Sequence, residues 1–328
     1  MTTSRSCAAA SPTSTAEPLT LARRRLRPAL MRGDRAATLL CAFTAEVDRL
    51  AAAAFRTTLA ASRLEEADLA LVAVGSWGRR ELMPYSDLDY AVLGRTGPTP
   101  KRLLKRLDRA LRAALLSGGN DDSVAVCATL SPLGRERDVV TGSPPTLVDA
   151  FATRLAHDER WRWRFPLTYV DARTVAGAPS LLTGLRERLD AVLALGTRSR
   201  ALVLGALPAT IVTQWIADEV TGWLMVARDL LRPLTFSAAA LALAHGLTCT
   251  DTRTRLYELS RRGLATDAEG RASLSTLEFL QLLRLRAQLD RHGPDDVVHL
   301  GDEWLDTLTL ARDTTRAWAA RVTRAAMP

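Results

Sequence analysis

The sequence predicts an α+β protein, with a small β-sheet flanked by helices in its N-terminal half and an all-α helical bundle after it. Three observations carry that reading. Short Val-rich apolar runs bounded by Gly or Ser, "LALVAVG" (69–75), "LDYAVLG" (88–94) and "SVAVCATLS" (123–131), have the form of buried strands. Longer segments between them repeat their apolar residues every three or four positions, as amphipathic helices do. After Gly196 the strand signals stop and only helical patterns follow.

In chain order, "MTTSRSCAAASPTSTAEP" has one arginine and no apolar core, so residues 1–18 read as a disordered tail rather than a secretory signal. Residues 19–66 carry Leu39, Leu40, Phe43, Val47 and Leu50 at helical spacing and predict one or two N-terminal helices. Residues 67–195 form the strand-containing domain. Within it, 99–117 is a helix with Pro100 at its start and Gly118 past its end, and "TLVDAFATRLAHDERWRWRF" is another. "LTYVDARTVAG" reads as a strand running into a helix at Asp171. Residues 196–328 predict helices near 200–231, 237–247, 272–292 and 302–326, with "RHGPDD" as a break.

Composition narrows the function classes. The chain has 328 residues and a net charge of +8, yet Lys101 and Lys105 are its only lysines. The arginines are scattered among alanines and leucines rather than gathered on one face, so nucleic acid is not the favoured partner. Cys7, Cys41, Cys127 and Cys249 form no CxxC pair, which disfavours a zinc site or disulfide framework and fits a reducing cytoplasm. The most apolar late window is interrupted by Pro208, Gln214 and Asp218, so a membrane span is not expected.

The chemistry concentrates in "AVGSWGRRELMPYSDLDYAVL" (73–93). In a strand, residues i and i+2 share a face, so Asp87 and Asp89 would project together. Carboxylates held that close repel unless a cation lies between them, and an oxygen-only pair suits Mg²⁺ with substrate phosphates. Gly75 and Ser76 follow a strand, where backbone N–H groups are free to meet an anion, and Gly75 and Gly78 let the backbone come close. Arg79 and Arg80 bring balancing charge. The plain alternative is a polar hairpin, since DxD pairs occur by chance and Pro84, Tyr85 and Ser86 are ordinary turn residues. The combination favours a phosphate turn joined to a metal strand.

"GSWGRRELMPYSDLDYAVL" resembles the nucleotidyltransferase signature of the polymerase-β-like superfamily. It is most similar to the bacterial protein-PII uridylyltransferases and to the related nucleotidyltransferase family with a C-terminal helical substrate-binding domain (DUF294-like). The match runs through Gly75, Ser76, Gly78, Arg79, Glu81, Pro84, Ser86, Asp87 and Asp89. "YVDARTVAGAPSLLTGLRERL" is similar to an Asp-x-Arg-x-x-x-Gly segment of both relatives, and "LEFLQLLRLRAQLDRHGPDDVVHLGDEWLDTL" to the helical domain of the second.

The resemblance implies a nucleotidyltransferase domain with a small mixed β-sheet, then the helical substrate-binding domain. It implies transfer of an NMP group from UTP or ATP to an acceptor hydroxyl, which can be a protein side chain. Asp87 and Asp89 would hold Mg²⁺, and Gly75, Ser76 and Arg79 the triphosphate. A third carboxylate usually completes such a site; Asp171 is the candidate, and it can equally be an N-cap for the helix expected after it. With that acid open, a catalytically silent nucleotide-binding protein is the alternative, and a nucleic-acid-binding module a weaker one. The chain has only four histidines, so the phosphohydrolase domain of the uridylyltransferases is not expected and His157–Asp158 reads as surface. Trp161, Trp163, Trp215, Trp223, Trp304 and Trp318 read as packing residues. Arg284, Arg286 and Gln288 read as a solvated face, with a cleft-facing role as the alternative.

Overall fold

The computed structural model describes residues 17–96, 101–116, 141–155, 166–194, 223–292, 297–299 and 304–326. Helices α1 (Glu17–Met31) and α2 (Ala36–Ser62) lead into β1 (Leu69–Ala73), a single helical turn α3 (Gly75–Gly78) and β2 (Tyr90–Gly94). Helix α4 (Lys101–Leu116), a two-residue β3 (Thr141–Gly142), α5 (Pro144–Leu155), β4 (Arg173–Gly177) and α6 (Pro179–Ala194) complete the first half.

The sheet has the order β3-β2-β1-β4. β1 lies antiparallel to both β2 and β4, while β3 runs parallel to β2, so the sheet is mixed. Its two central strands are apolar throughout because both faces are covered. Leu69, Leu71, Ala73, Tyr90 and Val92 point into a core formed with α1, α2 and α4. Ala70, Val72, Val74, Ala91 and Leu93 point the other way, against α5 and α6.

The second half contains β5 (Trp223–Met225), a π-helical turn (Ala227–Leu231), α7 (Arg232–Ala244), α8 (Thr252–Arg261), α9 (Asp267–Arg291), β6 (Val297–His299) and α10 (Leu305–Ala326). Local sequence starts two of these helices. Asp251 caps α8 by accepting from the Thr254 N–H, and Thr266 with Glu269 forms a reciprocal capping box on α9. Leu234, Leu241, Leu256, Leu259, Leu277, Leu280 and Trp318 fill the core between them.

Helix α9 joins the two halves. Leu277, Leu280 and Leu283 belong to the helical core, whereas Leu285 and Leu289 belong to the core under the sheet. Its 25 residues span about 37 Å, enough to serve both.

Several expectations change. The 166–170 segment, read as a strand, is helical, and the strand is β4, where a helix was expected. Asp171 therefore caps no helix; it sits at the bend between the two. The second strand begins at Tyr90 rather than Leu88, so Asp87 and Asp89 lie in the extended lead-in to β2. β5 and β6 form an antiparallel pair that the helical pattern of this half did not announce, and α8 was not anticipated. The strand expected at 123–131 lies outside the described residues, as do His157, Asp158, Trp161, Trp163 and Trp215 and the 1–16 segment. Trp318 is buried with its indole N–H on Ser273, and Trp304 stacks on Phe279 with ring centroids 5.7 Å apart. No helix of the described residues is long and apolar enough to cross a membrane.

Candidate active site

β1 ends at Ala73, and the chain turns at once into α3. Gly75 makes that turn possible with φ +58°, a left-handed conformation that other residues adopt only at a cost. Its Cα hydrogens face the Asp89 carboxylate; a Cβ there would lie 3.3 Å from Asp89 Oδ2. Gly78 is required by contact instead, since a Cβ would fall 2.1 Å from the carbonyl oxygen of Asp171. The Val74 N–H donates to the Asp89 carbonyl at 3.0 Å, which carries the β1–β2 pairing past the strand ends and brings the glycine turn beside the two aspartates.

A cleft of about 310 Å³ opens over this junction. Gly75, Ser76, Ser86, Asp87 and Asp89 line one side. Arg232, Thr235 and Phe236 of α7 and Gln281 and Arg284 of α9 line the other. Asp87 is exposed and Asp89 half-buried, so both carboxylates are within reach of a ligand. Two carboxylates with a serine hydroxyl nearby form an oxygen-only donor set of the kind that hard divalent cations take. Among the described residues no group of three or more His, Cys, Asp or Glu side chains comes together to hold a metal ion.

The turn that carries Ser86 and Asp87 is fastened from outside. Gln288, fully buried, accepts the Tyr85 N–H at 3.1 Å. Arg284 reaches the Ser86 hydroxyl at 3.3 Å, and Arg23 of α1 donates to the Pro84 carbonyl at 3.0 Å while lying over the Tyr85 ring. Of the three polar residues read as a solvated face, only Arg286 is exposed. Arg284 turns to the cleft because its helix runs along the junction between the halves, which the leucine spacing alone does not reveal.

Asp171 occupies a different position from the one expected of a third site carboxylate. It is buried, and it is not among the residues lining the cleft. One oxygen accepts from Arg79 Nη1 at 2.5 Å and the other from Arg255 Nη1 at 2.6 Å. Arg79 also binds Glu81 at 2.9 Å, and the second Glu81 oxygen accepts the Thr252 N–H at the start of α8. Two acids and two guanidiniums thus form a neutral buried chain from the signature turn to the helical half. Burial works against the charge of Arg79, but Asp171 and Glu81 outweigh it and raise its pKa. Two residues on, Arg173 donates to Asp48 of α2 at 2.9 Å and to the Trp77 carbonyl at 3.4 Å, while the Trp77 indole also donates to Asp48. The Asp-x-Arg pair clamps α3 from two sides.

Two family descriptions match separate parts of the chain: "putative nucleotidyltransferase DUF294" over residues 22–122 and "putative nucleotidyltransferase substrate binding domain" over residues 217–302. Together they cover more than half of it. The chain belongs to the DUF294 nucleotidyltransferase family.

The DUF294 assignment fits the division seen in the fold, with the signature turn in the first match and α7, α8 and α9 in the second. The protein is also similar to bifunctional glutamine synthetase adenylyltransferase/adenylyl-removing enzymes. That of Mycobacterium tuberculosis is 29% identical over 316 residues, covering 86% of this chain and 29% of the relative. That of Corynebacterium glutamicum is 24% identical over 253 residues, covering 74% and 23%. This DUF294 protein therefore spans under a third of the length of these relatives.

Sequence reasoning missed Arg232, Thr235, Phe236 and Gln281 as cleft residues. The only signal that pointed at this wall was the run of arginines among leucines that includes Arg284.

Proposed function

We propose that this protein transfers a nucleoside monophosphate from an NTP to an acceptor hydroxyl, with release of pyrophosphate. The observation that carries the reading is the pair Asp87 and Asp89 facing the same cleft as the Gly75–Ser76 turn. The backbone N–H groups of that turn and the Ser76 hydroxyl would hold the β- and γ-phosphates, the part that leaves. Asp87 and Asp89 would hold Mg²⁺, which supplies charge neutralisation at the α-phosphate and acidifies a nearby hydroxyl. Arg232 and Arg284 from the opposite wall would balance the remaining triphosphate charge, and the half-buried Phe236 offers a face for the base.

ATP is the donor favoured here over UTP, because the named relatives are adenylyltransferases. Their named target is a protein, which supports a protein hydroxyl as the acceptor. Cysteine usage, with Cys41 and Cys249 both free, fits a cytoplasmic setting.

A second reading, a nucleotide-binding protein without transfer activity, is favoured by one specific observation. Both carboxylates that could complete the Asp87–Asp89 pair, Asp171 and Glu81, are bound to guanidiniums. The experiment that separates the readings incubates the full chain with each α-labelled NTP, Mg²⁺ and a cell lysate, beside Asp87→Asn and Asp89→Asn. Label transferred to a macromolecule by the native chain and lost in both variants supports transfer. NTP binding without transfer under every condition supports the second reading.

A further inference from the structure

A second cavity, of about 390 Å³, lies behind the wall of the nucleotide cleft. Arg79, Glu81 and Gln281 line both spaces, so the two are back to back. Its volume falls in the range of small-molecule pockets.

Besides Arg79, which is held in the ion-pair chain, three guanidiniums line it from three different elements, Arg80 after α3, Arg173 of β4 and Arg253 of α8, together with the carboxylates of Glu81 and Asp251. Arg173 and Arg253 are each tied to one acid, Asp48 and Glu278. Arg80 is exposed and makes no side-chain hydrogen bond or ion pair among the described residues. It is also held at φ +61°, a left-handed conformation a non-glycine residue rarely keeps without a reason. Thr250, Asp251 and Arg253 place the start of α8, a ten-residue helix, at the same cavity, where Asp251 and Glu81 already accept its Thr254 and Thr252 N–H groups. Two residues on the lining carry buried polar atoms without a partner, Arg173 Nε and Gln281 Oε1. The opposite side is less polar, formed by Ala37, Leu40 and Cys41.

We propose that this cavity binds a phosphorylated small molecule, with its phosphate on Arg80 and Arg253 and its uncharged part against α2. Guanidiniums arriving from independent elements suit the three acceptor oxygens of a tetrahedral dianion better than a flat carboxylate, which one arginine satisfies by itself. The site is separate from the triphosphate turn and stands whether or not the chain transfers nucleotides. Because Arg79 and Glu81 are common to both walls, an occupant here presses on the same ion-pair chain that supports the signature turn.

The test is calorimetric titration of the full chain with ribose 5-phosphate, and with ribose as the uncharged control, without added divalent cation. Arg80→Gly is the informative variant, since glycine accepts the left-handed backbone and the fold is kept. Saturable binding of ribose 5-phosphate, weakened about tenfold or more in Arg80→Gly and Arg253→Gln and unchanged in Ser76→Ala, is the expected result. Thermal unfolding of each variant shows that the fold is intact. Absence of saturable binding, equal binding of ribose, affinity unchanged in Arg80→Gly, or loss confined to Ser76→Ala would each overturn the proposal, the last because the phosphate would then sit in the nucleotide cleft.

Discussion

Asp171 and Arg255 meet at 2.6 Å across the junction of the two halves, 84 residues apart in sequence and both buried. Arg255 also donates to the carbonyls of Val170 at 2.8 Å and Cys249 at 2.9 Å, so the guanidinium is anchored on both sides of the junction. With Arg79 on its other oxygen, Asp171 is the link through which the signature turn is attached to the helical half.

Asp171→Asn should therefore act first on stability. Losing that charge leaves the fully buried Arg255 with only the Cys249 and Val170 carbonyls and Arg79 with Glu81 alone, a change that typically costs about 3–5 kcal/mol. Urea unfolding of the variant should show a loss in this range. A carboxylate whose only role lay in the chemistry would leave the unfolding midpoint unchanged.

The two signature glycines should differ in severity. Gly75→Ala must hold φ +58° and brings its methyl group within 3.3 Å of Asp89 Oδ2, a side-chain atom that can turn aside, and should cost roughly 1–2 kcal/mol. Gly78→Ala drives a Cβ into the Asp171 backbone, which is itself pinned by the ion-pair chain, so little soluble folded protein is expected. Comparing the soluble yield and unfolding midpoint of the two variants checks the order.

Gln288→Leu preserves side-chain size and removes the acceptor for the Tyr85 N–H. A buried donor left without its partner costs about 1–3 kcal/mol. The accompanying sign should be faster proteolytic cleavage within 83–86, the turn that Gln288 fastens.

The capping box of α9 predicts a pH dependence. The Thr266 backbone N–H first, then Arg321 and the Thr266 hydroxyl, hold the Glu269 carboxyl down at about 2 from 4.5. A carboxyl with a depressed native pKa adds stability above its unfolded value, and that addition fades as pH falls toward the native one. The stability gap between the native chain and Glu269→Gln should be full above about 4.5 and shrink steadily toward about 2. A gap that stayed constant over this window would mean that the charge of Glu269 contributes nothing.

Much of the candidate site was legible because its residues lie close together in the sequence. Gly75, Ser76, Asp87 and Asp89 lie within 15 residues, and the turn between them is short enough for strand and turn propensities to act without help from distant parts of the chain. The sheet's central strands were legible for a related reason: covered on both faces, they are uninterrupted apolar runs. "LTYV" failed by the same criterion, since a four-residue apolar run has the same period in a helix as in a strand, and packing against α6 and Arg255 decides it.

What the sequence by itself determined is the signature turn, its neighbouring strands, the helical character of the second half and the family to which the chain belongs. What only the tertiary structure decided is the far wall of the cleft, with Arg232, Phe236 and Arg284, and the position of Asp171 between two arginines. Those contacts join residues 84 to 198 positions apart, and no local propensity encodes which buried charge will find which partner. Burial and charge balance, settled when the halves pack, assign Asp171 to the junction and leave Asp87 and Asp89 facing the cleft.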